Sequence, residues 1–259
     1  MKRILILFLA AVLAGIFWWY VQSGRKDIAA DLNLENPQSL DKSLAVGGNQ
    51  TTGVTEPAKA DILEDIQGWV LKIIARPIVV TASLPESSRQ QAVAKIQELN
   101  ESIKNYYDEV YQWYDLGAYR RLIGDYDGAI EAWTFGSILR PKDYIFDQNL
   151  GDLYAFYLKD YAKGERSFLQ SIQKNPQNVS AYQQLAILYE FSLKDIVRTE
   201  NILLEGIREN SEVAVLKIEL GKYYIRLGRK ADAIKYFDEA LALTPDNQEL
   251  REELAALKS

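Results

Sequence analysis

The sequence predicts an all-α protein, a right-handed α-solenoid of four helical hairpins with flanking capping helices, preceded by one N-terminal transmembrane helix. Three observations predict it. Small, bulky and proline positions recur every 34 or 35 residues through the second half of the chain, and residues 4–21 form an unbroken apolar run. The segments on either side of the periodic region are amphipathic at helical spacing.

Residues 4–21 carry no charged or strongly polar group. A run of that length just crosses a bilayer as a helix, and Trp18, Trp19 and Tyr20 stand where an interfacial aromatic belt belongs. The competing reading is a signal peptide, with Lys2 and Arg3 as its basic start and cleavage near Val21-Gln22-Ser23. Run length and bulky aromatics favour an uncleaved anchor over residues 1–23; after cleavage the protein is secreted instead. Lys2 and Arg3 are balanced by Arg25 and Lys26, so the short tail decides for a cytoplasmic N-terminus and an extracytoplasmic remainder. Ala11 and Gly15 would let two such helices approach. Nothing else indicates oligomerisation.

Residues 24–60 are rich in Gly, Ser, Thr, Asn, Asp and Pro without a sustained apolar period, which predicts a flexible linker. From 61 to 75, Ile62, Leu63, Ile66, Trp69, Val70, Ile73 and Ile74 recur every three or four places, predicting a helix that caps the domain. Pro77 to Thr81 reads as extended, because proline opens it and β-branched residues follow. A second helix runs to about Asn105, with Ser83 as N-cap, Pro85 in its first turn and Glu86 closing a capping box, and it buries Val93, Ile96, Leu99 and Ile103.

The periodic region follows. Leu220-Gly221-Lys222-Tyr223-Tyr224 is succeeded by Ala233, Phe237, Ala240 and Pro245. Upstream, Gly221 has its equivalents in Ala186, Gly151 and Gly117; Phe237 in Leu203, Phe168 and Trp133; and Pro245 in Ser211, Pro176 and Pro141. Closely crossing helices need small side chains at the crossing and bulk beside it, while proline past the second helix ends the hairpin. On these residues, positions 108–257 resemble the tetratricopeptide-repeat family, of a bacterial membrane-anchored layout. The resemblance implies two antiparallel helices per unit of about 34 residues. The units run from about 110–143, 144–178, 179–213 and 214–247, within a domain of 107–259 preceded by N-terminal helices over 61–106. Residues 248–259 supply the polar closing helix that arrays need for solubility. Two departures stand out: Tyr119 comes one place early in the first unit, and Ser211 replaces proline in the third. The middle units also carry an extra residue, at Leu158-Lys159-Asp160-Tyr161 and Leu193-Lys194-Asp195-Ile196, which reads as a longer turn.

Composition narrows function by exclusion. Cysteine and histidine are both absent, which removes disulfides, thiol nucleophiles, Ser-His-Asp triads and the usual zinc sites. A net charge of −6 argues against a nucleic-acid surface. Asp125 and Asp127 flank Tyr126 and as a carboxylate pair could in principle do acid–base work, but in this turn an acidic residue favours the start of the next helix. No catalytic, cofactor-binding or metal-binding residue is assigned.

The resemblance implies a concave face lined by the first helix of each unit. Register places there Tyr111, Tyr114 and Arg121; Gln148, Asp152 and Phe156; Gln183, Ile187, Glu190 and Phe191; and Ile218, Lys222 and Arg226. Aromatics and arginine interleaved with amides suit a peptide or helix. The lysine–asparagine clamp with which some relatives hold a C-terminal carboxylate is not matched, since Tyr114 and Ala118 occupy two of its positions. The expectation is a membrane-anchored, extracytoplasmic, non-enzymatic scaffold or assembly factor binding other proteins. The alternative is an envelope glycan-binding module using tyrosines and tryptophans as stacking platforms. An enzyme built on carboxylates alone would require two of them converging in a cleft.

Overall fold

A computed structural model describes residues 56–259 of the chain. The expected anchor and most of the expected linker lie outside the described residues. Among those described, every regular element is helical, and no helix is long and apolar enough to cross a membrane. The chain divides into two compact units that meet in sequence at Lys142 and Asp143.

In the first unit, α1 spans Glu56–Ile74, α2 Glu86–Asn105, α3 Val110–Leu122 and α4 Tyr126–Leu139. α1 begins inside the stretch read as linker. It packs on α2 and α4, burying Val70 and Ile73, and sets Trp69 edge-on to Phe135 with 5.2 Å between ring centres. α2 packs on α3 through Ala92, Ile96, Leu99 and Ile103; the expected Val93 is only half-buried. Its start also differs from expectation. Pro85 is itself the N-cap at ψ 145°, with no side-chain cap bond, so the Ser83 capping box does not form. Proline holds the residue before it extended, and the helix opens only beyond it.

α3 and α4 form the first repeat. Their close crossing follows from Gly117, where a Cβ would stand 2.2 Å from the Trp133 indole. The extended stretch after α1 forms no sheet. It docks on the α3–α4 turn, where the N–H groups of Thr81 and Ala82 both donate to the Ile123 carbonyl at 2.9 and 3.0 Å. Arg120, 1% exposed, reaches the same stretch and donates to the carbonyls of Arg76 and Pro77.

The second unit repeats the hairpin: α5 (Ile145–Asp152) with α6 (Tyr161–Lys174), α7 (Val179–Ile187) with α8 (Ile196–Glu209), and α9 (Ala214–Arg226) with α10 (Lys230–Leu243), closed by α11 (Gln248–Lys258). Each helix packs on the next. Phe168 lies over Gly151 and Phe237 over Gly221, where an added Cβ would fall 2.6 and 2.3 Å from the ring. α11 buries Leu250 and Leu254 in a cluster with Phe237 and Ala240. Where the third repeat lacks proline, Asn210 caps α8 by donating to the Gly206 carbonyl at 3.0 Å.

The extra residue of the middle repeats sits inside the first helix, not in a longer loop. α5 continues as a π-helical turn over Leu153–Leu158 and α7 over Leu188–Leu193, each ended by a left-handed lysine, Lys159 at φ 60° and Lys194 at φ 56°. The closing bonds show where the residue went. Asp160 N–H donates to Tyr154 O and Asp195 N–H to Tyr189 O, six residues back, whereas Asp125 reaches Arg120 O and Arg229 reaches Tyr224 O, five back. Widening one turn keeps both packed faces in register, and a π-turn is the usual way a helix absorbs one residue.

Candidate protein-interaction face

The first helices carry the residues that register assigns to a binding face, and the structure sorts them. In the first unit, Tyr111 is 75% exposed with its ring 6.1 Å from that of Tyr114, and the Arg121 guanidinium lies 5.7 Å from the centre of the Trp133 ring. In the second unit several assigned residues hold the fold. Gln148 accepts from Asn178 at 2.7 Å and donates to the Ser180 hydroxyl, Phe156 packs against Phe168, and Ile218 joins the cluster around α11. Asp152 is half-buried on α5.

The structure brings the others together where α7 and α9 lie side by side. Gln183 donates to Glu219, and one helical stretch further on Arg226 donates through Nε and Nη2 to the two oxygens of Glu190, the latter at 2.7 Å. Both pairs are 36 residues apart in sequence, so they mark the register of neighbouring first helices. Beside them Ile187 and Phe191 stay 40% and 52% exposed, and Lys222 is exposed on α9. Phe191 has two cations at its ring, Arg226 at 5.6 Å and Lys194 at 5.9 Å. The left-handed turn that ends the π-segment is what aims Lys194 there.

Glu219, which register does not select, lies beside these residues through its bond to Gln183. Burial pushes its carboxyl above the ordinary range, while the Gln183 hydrogen bond and the charges of Lys222 and Arg226 pull it back. The sequence does hold a signal for it, since Glu219 follows Ile218 and precedes Leu220 on a helix that register already assigns to the face.

Asp125 and Asp127 hold the fold. Asp125 accepts the Gly128 N–H at the start of α4, and Arg76 and Arg120 both donate to it. Asp127 takes part in the same clasp, with Arg76 at 3.5 Å and Glu131 adding a further carboxylate. Trp113, Trp133, Tyr182 and Tyr223 are buried in the core and closed to a stacking glycan.

Hairpins of two helices, packed consecutively with a large apolar side chain over a small residue where they cross, define a helical-repeat protein. Residues 214–247 match the family model described as tetratricopeptide repeat. That stretch, the fourth hairpin, is a tetratricopeptide repeat. Similar solved structures include MamA (17% identity, 64% of this chain and 99% of that one, TM-score 0.49). A thermophilic tetratricopeptide protein of Thermus thermophilus shares 15% identity over 75% and 97% of the two chains, with TM-score 0.47. YrrB, described as having an unusual peptide-binding site, shares 12% over 64% and 85%, with TM-score 0.46. No curated protein matches the sequence.

Proposed function

We propose that this protein is a non-enzymatic interaction scaffold of the cell envelope, held to the membrane by residues 1–23 with its repeats outside the cytoplasm. The partner is a protein that lays a peptide or helix on the face of the first helices. The observation that carries the reading is Phe191, an aromatic ring half in solvent on a helix whose other rings are buried, framed by exposed Ile187 and the paired Arg226. An exposed ring between charged groups contributes contact area at low entropic cost, which is the composition of an interface anchor. The anchor rests on the apolar run at 4–21 and its aromatic end.

The test is affinity capture from detergent-solubilised membranes, comparing wild type with Phe191→Ala/Arg226→Ala and with Lys230→Ala, an exposed change on α10. Phe156 is unsuited because it supports Phe168. The reading predicts an envelope protein retained by wild type and Lys230→Ala and lost from the double variant at unchanged helical melting. Equal capture by all three overturns the face. Fractionation of cells, with protease access to the repeats from outside the cytoplasmic membrane, tests the placement separately.

A further inference from the structure

Two stripes run along this face. Ile187 and Phe191 form an apolar one on α7, four residues apart, and Lys222 and Arg226 form a cationic one on α9, also four apart. The Gln183–Glu219 and Glu190–Arg226 bonds hold the two helices so that the stripes lie next to each other. Lys194 adds a third cation at the Phe191 end. The two carboxylates present are already engaged, Glu190 with both oxygens on Arg226 and Glu219 with Gln183 by hydrogen bond and with Lys222 and Arg226 through their charge. Neither Lys194 nor Lys222 has an ion-pair partner among the described residues.

We infer that this face takes an acidic amphipathic helix, one whose apolar residues at i and i+4 cover Ile187 and Phe191 while an adjacent row of Asp or Glu meets Lys222, Arg226 and Lys194. The inference rests on the interaction reading above and names the chemistry of its partner. Charge complementarity selects the sign: Arg226 is offset by Glu190, but Lys194 and Lys222 carry no ion pair among the described residues, so a basic helix would meet their like charge, which is strongly disfavoured across an interface. Apolar anchors at i and i+4 are how a helix presents itself to such a surface. Glu190 then acts as a built-in competitor, because it occupies the guanidinium fork that the partner's carboxylate would take.

The experiment uses the full chain in detergent micelles and a fluorescein-labelled synthetic helix of about 16 residues carrying Leu at i and i+4 beside a row of Glu. The control is the same peptide with Lys for each Glu, and both are followed by anisotropy. The inference expects the acidic probe to bind at least about tenfold tighter than the basic one and to weaken as salt rises from about 50 to about 200 mM. Lys222→Glu and Lys194→Glu should each weaken the acidic probe by about tenfold. Glu190→Gln should tighten it several-fold by freeing Arg226, an outcome that a merely structural role for Glu190 does not produce. Equal or tighter binding of the basic probe overturns the charge assignment; if Phe191→Ala then abolishes both, the face itself stands. Absence of binding by the acidic probe, or a loss of affinity in Glu190→Gln, overturns the inference, while the membrane capture decides separately whether the face binds protein at all.

Discussion

Arg120 shows how a single residue can mislead in sequence. It stands three places after Gly117, where the later repeats have Tyr154, Tyr189 and Tyr224, so it reads as a flaw in the pattern. In the fold it does for the first repeat what tyrosine does later, which is to bind the element before it. Arg120 holds the Arg76 and Pro77 carbonyls, and Tyr189 and Tyr224 donate to Glu165 and Glu200 of the preceding hairpin. Arg120→Met should lower unfolding free energy in urea by about 3–5 kcal/mol, the range for breaking a buried charge pair. Tyr182 offers the opposite case. Its hydroxyl is buried with no partner among the described residues, and burial raises its pKa to about 12. Tyr182→Phe should therefore be neutral or stabilising by up to ~1 kcal/mol in the same measurement. Glu219 gives a pH test. Because burial raises its folded-state pKa, the protonated form favours folding, and its ionisation costs stability as pH rises through that value. Glu219→Gln should be more stable than wild type at neutral pH, with the gap closing as pH falls below about 4, near the free carboxyl's pKa.

At the scale of elements, helix order and crossing points are legible in the sequence, because the small residue and its ring obey steric rules that do not depend on context. Gly117 with Trp133, Gly151 with Phe168 and Gly221 with Phe237 are the clearest instances. The place of the extra residue is not legible. A longer turn and a widened helix leave the apolar register identical, and only the backbone bonds distinguish them. Ser83 misleads for a related reason: a capping-box pattern beside proline says nothing of which residue starts the helix. Register assigns Glu190 and Arg226, which pair with each other across α7 and α9, and Gln148, which the fold consumes in holding Asn178 and Ser180, without distinguishing them. The left-handed lysines carry a prediction. A side chain in that conformation costs about 1–2 kcal/mol, and glycine returns part of this as chain entropy when unfolded. Lys159→Gly should raise stability by about 0.5–1 kcal/mol, measured as a shift of the urea midpoint without a change of slope.

At the scale of the molecule, the described chain is closed at its C-terminal end by α11, which hides Leu250 and Leu254 against Phe237 and Ala240. Ending the chain after Asp246 should destabilise the second unit by roughly 3–6 kcal/mol, as for uncovering two buried leucines, and promote association visible by size-exclusion chromatography. The tyrosine contacts have a meaning at this scale too. Tyr189 reaches back to Glu165, which Arg198 also grips, and Tyr224 to Glu200, which Arg229 also grips. Such contacts sit at repeat boundaries, so in a one-dimensional lattice they enter the coupling between neighbours and leave the intrinsic term of each repeat unchanged. Strong coupling with weak intrinsic terms makes an array melt as a block. Cutting one contact would therefore shorten the cooperative block, dividing one calorimetric transition into two.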